Sequence, residues 1–165
     1  MKTRDLTLMS MLTTVGLIIF VVEAQIPVPV AIPGIKLGLS NVVTLFALWT
    51  LSRRAAATVL ILRVVLGNFV VGNLMVLFYS LSGGLLCLLV MALMKPLFSE
   101  KQIFILSMFG AIAHNIGQLA VAVFVMGTPS ILLYAPVLLL SGLITGFFTG
   151  QCAQAVILHM KRIRP

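Results

Sequence analysis

The sequence predicts an all-α polytopic membrane protein with six transmembrane helices and both termini in the cytoplasm. The first observation is composition: 61% of the 165 residues are hydrophobic and 8% are charged, more apolar surface than a soluble domain can bury. The second is length, since ~20 residues per span allow about six spans. The third is the placement of basic residues between the apolar stretches. Residues 1–165 therefore form a single transmembrane domain with no separate soluble part.

The apolar stretches and the charges between them set the predicted topology. We place the spans at about 6–25, 37–51, 55–72, 80–96, 103–126 and 131–158. Nine basic residues then fall on one side of the membrane, which the positive-inside rule makes cytoplasmic: Lys2, Arg4, Arg53, Arg54, Lys95, Lys101, Lys161, Arg162 and Arg164. The net charge of +8 thus reports topology, and no nucleic-acid partner is expected.

An apolar, proline-rich segment, residues 26–41, separates the first two spans. Its prolines cannot continue a helix, because each lacks an N–H and biases the preceding residue toward extended geometry. A connection that merely crossed water would not need so many aliphatic side chains. We predict a loop folded back into the outer mouth of the protein, with Pro29, Pro33 and Gly34 in a lid over a ligand site.

The connection between the third and fourth spans, residues 67–84, carries no charge. Either one span runs long, or a short outer segment packs against the protein. We favour the second interpretation, because non-helical backbone at membrane depth persists only where protein or a cavity surrounds it. The fourth span is therefore predicted to begin near residue 80.

Polar residues concentrate in the outer half of the predicted bundle. Arg63 falls near the midplane of its span, where an arginine costs at least ~2.5–3.5 kcal/mol and needs a partner or a wet cavity. His114 lies at a similar depth, and Gln118 follows one turn later on the same face. The candidate ligand-binding residues are Glu23, Lys36, Asn41, Arg63, Asn68, His114, Asn115 and Gln118.

These residues also have structural interpretations. Arg63 can form an ion pair with Glu23, and His114, Asn115 and Gln118 can serve as hydrogen bonds between helices. Because the two cations Lys36 and Arg63 outnumber the single carboxylate, we infer an anionic or carboxylate-bearing ligand.

Small residues mark two possible helix interfaces. Gly142, Gly146 and Gly150 form two overlapping GxxxG units on one face of the sixth span, and Ser10 with Thr14 forms a weaker version on the first. Such residues permit close backbone approach in lipid. They indicate either packing within the bundle or a face that binds a partner.

The sequence lacks the residues of several kinds of chemistry. It has no GxxxxGK[ST] motif, so it cannot hydrolyse ATP by a P-loop. Its one aspartate, Asp5, cannot hold magnesium against a diphosphate as a prenyl-diphosphate synthase requires. Cys87 and Cys152 offer no metal-ligand spacing. We expect no catalytic residues, no metal site and no cofactor, so that the chain is at most a non-catalytic subunit.

Four motifs carry a resemblance to a known family. They are Pro33-Gly-Ile-Lys-Leu-Gly-Leu-Ser-Asn41, Arg63-x-x-x-Gly-Asn68, Ser80-Leu-Ser-Gly-Gly84 and Ala113-His-Asn-Ile-Gly-Gln-Leu119. Together they resemble the Gx transporter family, also labelled heptaprenyl diphosphate synthase component I, which is similar to the S-components of energy-coupling factor (ECF) transporters.

The resemblance implies a vitamin-uptake subunit in the bacterial cytoplasmic membrane, with a small-molecule substrate bound near the outer face. It also implies a lid after the first span, and a transmembrane T-component and ATPase subunits as possible partners. The alanine-rich packing motif of many S-components is not evident in the first span.

Two other functions remain open at this point. The chain can be a membrane accessory subunit beside a soluble prenyl-diphosphate synthase of menaquinone synthesis. It can also belong to a flavin- or quinone-linked electron-transfer system. Copurifying ATPases favour transport, an aspartate-rich soluble partner favours prenyl synthesis, and a yellow chromophore favours the flavin interpretation.

Overall fold

The computed structural model describes residues 3–26 and 35–163, except for the side chain of Ile163, and all regular elements within these ranges are helical. The α-helices are α1 (Thr3–Glu23), α2 (Asn41–Thr50), α3 (Arg53–Val71), α4 (Leu74–Met94), α5 (Ile103–Met126) and α6 (Ala135–Ile163). Short 3₁₀ turns occur at Lys95–Leu97, Glu100–Gln102 and Pro129–Tyr134. The prediction of an all-α membrane bundle is confirmed.

Five of these helices are long and apolar enough to cross a membrane, and α2 is the exception. Its 10 residues extend about 15 Å, roughly half of a hydrocarbon core of about 30 Å. The predicted helical span at 37–51 was therefore wrong in its first part. Residues 35–38 are irregular, and a turn at residues 39–40 leads into α2. The second crossing thus consists of buried non-helical chain followed by a half-length helix.

Both ends of α2 are held by charged side chains from other helices. At its C-terminal end, Lys95 donates a hydrogen bond to the carbonyl of Leu48 (2.8 Å) and lies 5.1 Å from the ring centroid of Trp49. At its N-terminal end, Glu23 accepts hydrogen bonds from the preceding turn. A cation at the C-terminus and an anion at the N-terminus both complement the helix dipole, which helps a ten-residue helix to persist.

The connection between α3 and α4 is a tight turn of two residues. Gly72 ends α3 in the left-handed region, with φ +68° and its N–H bonded to Asn68 O. Asn73 then caps α4, its side chain accepting from the N–H groups of Met75 (2.9 Å) and Val76 (3.5 Å). The predicted outer segment before residue 80 was wrong, because a C-terminal glycine followed directly by an N-cap asparagine lets two helices meet without a linker.

The helices pack as two groups of three. Helices α1, α2 and α3 contact one another, α5 packs between α4 and α6, and α2 and α3 connect the groups. The glycine face of α6 lies on α5: a Cβ at Gly146 would come within 2.8 Å of Met108 Cα, and one at Gly150 within 2.5 Å of Phe104 Cα. Gly142 is also buried, beside Asn115. This glycine face is therefore a packing surface of the bundle itself.

Ser10 and Thr14 instead lie on the exposed side of α1. The Thr14 hydroxyl donates to Ser10 O (3.0 Å), as hydroxyl side chains do in helices without another partner. This pair belongs to the outer surface of the described bundle and leaves its predicted partner-binding role open.

One end of the bundle is distinctly basic. Arg4 shares a cleft with Thr50 and Met160, which places the start of α1, the end of α2 and the end of α6 together. Lys161 pairs with Glu100 at the same end. We call this the basic end. The predicted ligand residues lie toward the opposite end.

Candidate ligand-binding site

The site is built around residues 35–40, the irregular chain that precedes α2. The backbone N–H of Lys36 donates to Gln118 Oε1 on α5 (3.3 Å), and the carbonyl of Leu37 accepts from the Thr145 hydroxyl on α6 (3.3 Å). Lys36 is 4% exposed. Side chains of the surrounding helices therefore provide the hydrogen bonds that this backbone requires and that lipid cannot provide.

Glu23, at the end of α1, organises the turn that starts α2. Its carboxylate accepts hydrogen bonds from the backbone N–H groups of Gly38, Leu39 (2.9 Å) and Ser40 (3.2 Å). Gly38 has φ +82°, and a Cβ there would lie 3.0 Å from His114 Cδ2. Glycine is thus required at this position by both conformation and space.

Arg63 is 2% exposed and reaches from α3 toward the beginning of α2. Its guanidinium donates to the Ser40 hydroxyl, to Asn41 Oδ1 (2.7 Å) and to Thr44 Oγ1 (3.3 Å). It forms no ion pair with Glu23 within 4.0 Å in the part of the chain that the structure describes. Uncharged side-chain oxygens therefore bind the guanidinium group of Arg63, while the carboxylate of Glu23 is bound by backbone N–H groups.

Lys36 brings a second cation to this site. Its ammonium group donates to Phe20 O (3.1 Å) and lies 3.1 Å from the centroid of the Phe20 ring, a cation–π arrangement. Lys36 and Arg63 therefore place two basic side chains in one buried site.

His114 and Gln118 stack on one face of α5 beside this segment. Since Gln118 Oε1 accepts from Lys36, its Nε2 amide group faces His114 Nε2 at 2.7 Å. His114 Nε2 must then be the unprotonated nitrogen, so the proton of a neutral imidazole lies on Nδ1. Nδ1 lies against the backbone of Gly83, where an added Cβ would be 2.8 Å away. The geometry therefore indicates a neutral histidine.

These side chains enclose a cavity of about 10 Å³. It offers room for about one water-sized particle. The lining combines both cations, the carboxylate and the histidine with smaller groups: Phe20, Glu23, Lys36, Gly38, Ser40, Arg63, Ser80 and His114. Arg63 Nε and Ser80 Oγ are buried and have no hydrogen-bond partner among the described residues.

Most predicted site residues meet at this cluster, which we call the polar cluster: Glu23, Lys36, Asn41, Arg63, His114 and Gln118, with Ser40, Thr44 and Ser80. Asn115 does not, because its amide donates to Leu138 O on α6. Asn115 therefore forms a hydrogen bond between two helices, which is the structural interpretation given above. Asn68 is half-buried near the end of α3 and does not line the cavity.

The predicted lid cannot be compared with the structure. Pro29, Pro33 and Gly34 lie outside the described residues.

Sequence reasoning missed the hydroxyl groups of the polar cluster: Ser40, Thr44 and Ser80. Serine and threonine are frequent in membrane helices, and their spacing does not reveal which of them faces a buried arginine. Ser40 and Ser80 did stand in two of the motifs that carried the family resemblance, residues 33–41 and 80–84. These motifs were therefore the available signal for the two serines.

Larger clefts occur elsewhere in the described bundle but contain none of the predicted ligand residues. One of about 210 Å³ lies between α1, α2 and α6 and is lined by aliphatic side chains with Phe46 and Cys152. Two others, of about 610 and 370 Å³, lie at the basic end on either side of α1. Chemistry rather than volume therefore directs attention to the polar cluster.

Fold and site together define a multi-pass helical membrane protein with a buried, cation-rich polar cluster. A family model described as heptaprenyl diphosphate synthase component I matches residues 12–156. The chain belongs to that family. The matched region begins within α1 and ends within α6, and so contains every residue of the polar cluster. No curated protein and no solved structure matches the chain.

Proposed function

We propose that this chain is the substrate-binding and translocating membrane subunit of an uptake system, similar to an ECF S-component, for a small anionic or amphipathic molecule. The observation that carries the proposal is the polar cluster itself. Burying Lys36, Arg63 and Glu23 inside a membrane bundle is costly, and intramembrane ionisable residues usually mark a pathway or a binding site. Their excess of positive charge favours an anionic ligand.

The size of the cavity places a condition on this function. Ordinary ligand pockets measure about 300–1,000 Å³, whereas this cavity measures about 10 Å³. A whole organic molecule therefore enters only if the segments around the cavity move apart. If residues 35–40 moved away from α5, the hydrogen bond from Lys36 N to Gln118, at 3.3 Å, would be broken.

Energy for uptake would come from other subunits. The sequence carries no P-loop, so ATP hydrolysis has to be supplied by separate ATPases, joined through a T-component. In this proposal the chain is non-catalytic, binds no metal or organic cofactor as a resident group, and works in the bacterial cytoplasmic membrane.

The family description supports a second candidate, a non-catalytic membrane subunit of heptaprenyl diphosphate synthesis. Catalysis would then belong to a soluble, aspartate-rich partner, and the chain would hold that partner or its long apolar product at the membrane. The apolar cleft of about 210 Å³ beside α1 and α6 is the feature that fits this role.

Affinity purification from the native membrane, followed by identification of the copurifying proteins, separates the two candidates. Transport predicts ATPase subunits and a second membrane protein. Prenyl synthesis predicts an aspartate-rich soluble synthase. Reconstitution then supplies a functional test: uptake into liposomes should require the copurified ATPases and ATP. Uptake by this chain alone, without ATP or an ion gradient, would refute the need for energising partners.

A further inference from the structure

The charges of the polar cluster do not balance. Lys36 and Arg63 are cationic, Glu23 is the one carboxylate near them, and His114 is neutral in the tautomer that its contacts require. One positive charge is left over at a buried position. An uncompensated buried charge is far more costly than a paired one, so an anion bound beside Lys36 and Arg63 would stabilise the cluster.

The chain itself cannot supply that anion. It has three acidic side chains in all. Besides Glu23 these are Asp5, which lines clefts at the basic end, and Glu100, which pairs there with Lys161. An anion that balances this charge would therefore come from outside the protein.

The cavity has donors suited to receive it. Arg63 and Ser80 both line it and are at most 4% exposed, and neither Arg63 Nε nor Ser80 Oγ has a partner in the described ranges. Lys36 also lines the cavity, and its ammonium group donates one hydrogen bond, to Phe20 O. The carboxylate of Glu23 is already engaged by three backbone N–H groups. Donors without acceptors, beside an excess positive charge, match an acceptor-only occupant.

We propose that this cavity binds one small monovalent anion, held by Arg63 Nε, Ser80 Oγ and the Lys36 ammonium group. Its volume of about 10 Å³ fits one atom such as a halide ion, or one oxygen of a carboxylate. The inference rests on the proposed function in one respect: the carboxylate of a transported ligand would occupy the same position and displace the halide.

The test is thermal unfolding of the purified protein in sodium fluoride, chloride or bromide, each compared at constant ionic strength with sodium isethionate, whose sulfonate is too bulky for the cavity and which has no carboxylate. We expect a saturable rise in Tm with at least one small anion. Ser80→Ala should raise the half-saturating concentration about tenfold or more, because hydrogen bonds to charged groups contribute about 1.5–3 kcal/mol. Arg63→Lys should abolish the effect.

Ser82→Ala is the matched control. Ser82 is on the same helix, but its hydroxyl bonds to the carbonyls of Tyr79 and Gly117 (both 3.1 Å) and does not line the cavity. This variant should keep the wild-type anion response. Equal Tm in every salt, or an anion response unchanged in Ser80→Ala, would overturn the proposal. Because Ser80→Ala is a small change, the test remains decisive if Arg63→Lys does not fold.

A competition experiment distinguishes failure of this inference from failure of the proposed function. Organic ligands are screened in isethionate and again in saturating chloride. Anion binding without any organic ligand would support the anion site and count against uptake. An organic anion that binds equally well in both salts would overturn the shared position, since it would not compete with the halide.

Discussion

Two regions of this bundle solve the problem of packing in lipid in opposite ways. The α5–α6 interface uses glycine, and the backbones approach so closely that a Cβ at Gly146 would lie 2.8 Å from Met108 Cα. The α1–α2–α3 region, by contrast, is held by polar and charged groups, with Glu23 on backbone N–H groups and Arg63 on side-chain oxygens. The glycine interface buries no charge, so its free-energy cost is small and it needs no ligand. The second region buries charge, and this burial is the basis of our proposal that the region binds a ligand.

The largest effect should follow from removing the charge that orders residues 38–40. Glu23→Gln is expected to lower the free energy of unfolding by about 3–5 kcal/mol, because it leaves buried cations uncompensated. Glu100→Gln is the matched control at an exposed ion pair, where about 0–1 kcal/mol is expected. Denaturation in detergent micelles measures both. Equal losses in the two variants would mean that the polar cluster is no more tightly coupled than the surface.

A smaller loss should follow from enlarging a glycine of the other region. Gly146→Val is expected to cost about 1–3 kcal/mol by overpacking, because its side chain would collide with the backbone of α5. Ala155→Val, at an exposed position on the same helix, should be close to neutral. The same denaturation experiment compares them. If Gly146→Val were as neutral as Ala155→Val, the α5–α6 contact would be looser than described.

The turn between α3 and α4 should give the smallest change in stability. Asn73→Ala removes the acceptor for the N–H groups of Met75 and Val76 and should cost about 1 kcal/mol, as N-cap losses usually do. Asn73→Ser keeps a side-chain acceptor and should therefore retain most of the stability that Asn73→Ala loses. A loss that serine does not recover would show that Asn73 acts by something other than capping.

The orientation of the two regions can be tested by chemical labelling. Cysteines introduced one at a time at Thr128 and Arg53, in a background lacking Cys87 and Cys152, should differ in labelling by an impermeant reagent. We expect Thr128→Cys to react from outside and Arg53→Cys to remain unlabelled, because the basic end is predicted to be cytoplasmic. The reverse pattern would invert the topology and place the polar cluster near the inner face.

Much of this structure could be predicted from the sequence. Composition and the spacing of basic residues predicted a helical membrane bundle. Charge inside apolar stretches directed attention to Arg63, Lys36 and Glu23, because such residues are expensive in lipid and therefore informative wherever they occur.

The remainder depended on contacts between distant residues. The shape of the second crossing follows from Gly38 at positive φ and from Glu23, 15 residues earlier in the chain, and no local pattern contains that pairing. Asn115 could not be distinguished from His114 by sequence, since adjacent residues of one helix differ only in the direction they face. The α3–α4 turn was different, because the Gly72-Asn73 signal was present and hydrophobicity alone concealed it.

Ligand-dependent stabilisation measured side by side in wild-type protein, Arg63→Leu and Arg54→Leu tests the central claim most directly. Arg54 is exposed on the same helix and serves as the control. We expect at least one compound among vitamins, flavins, quinones and isoprenoid phosphates to raise the Tm of the wild type and of Arg54→Leu. Arg63→Leu should still insert into the membrane but show no rise. Stabilisation by none of these compounds, or equal stabilisation of Arg63→Leu, would contradict the assignment of the polar cluster as a ligand site.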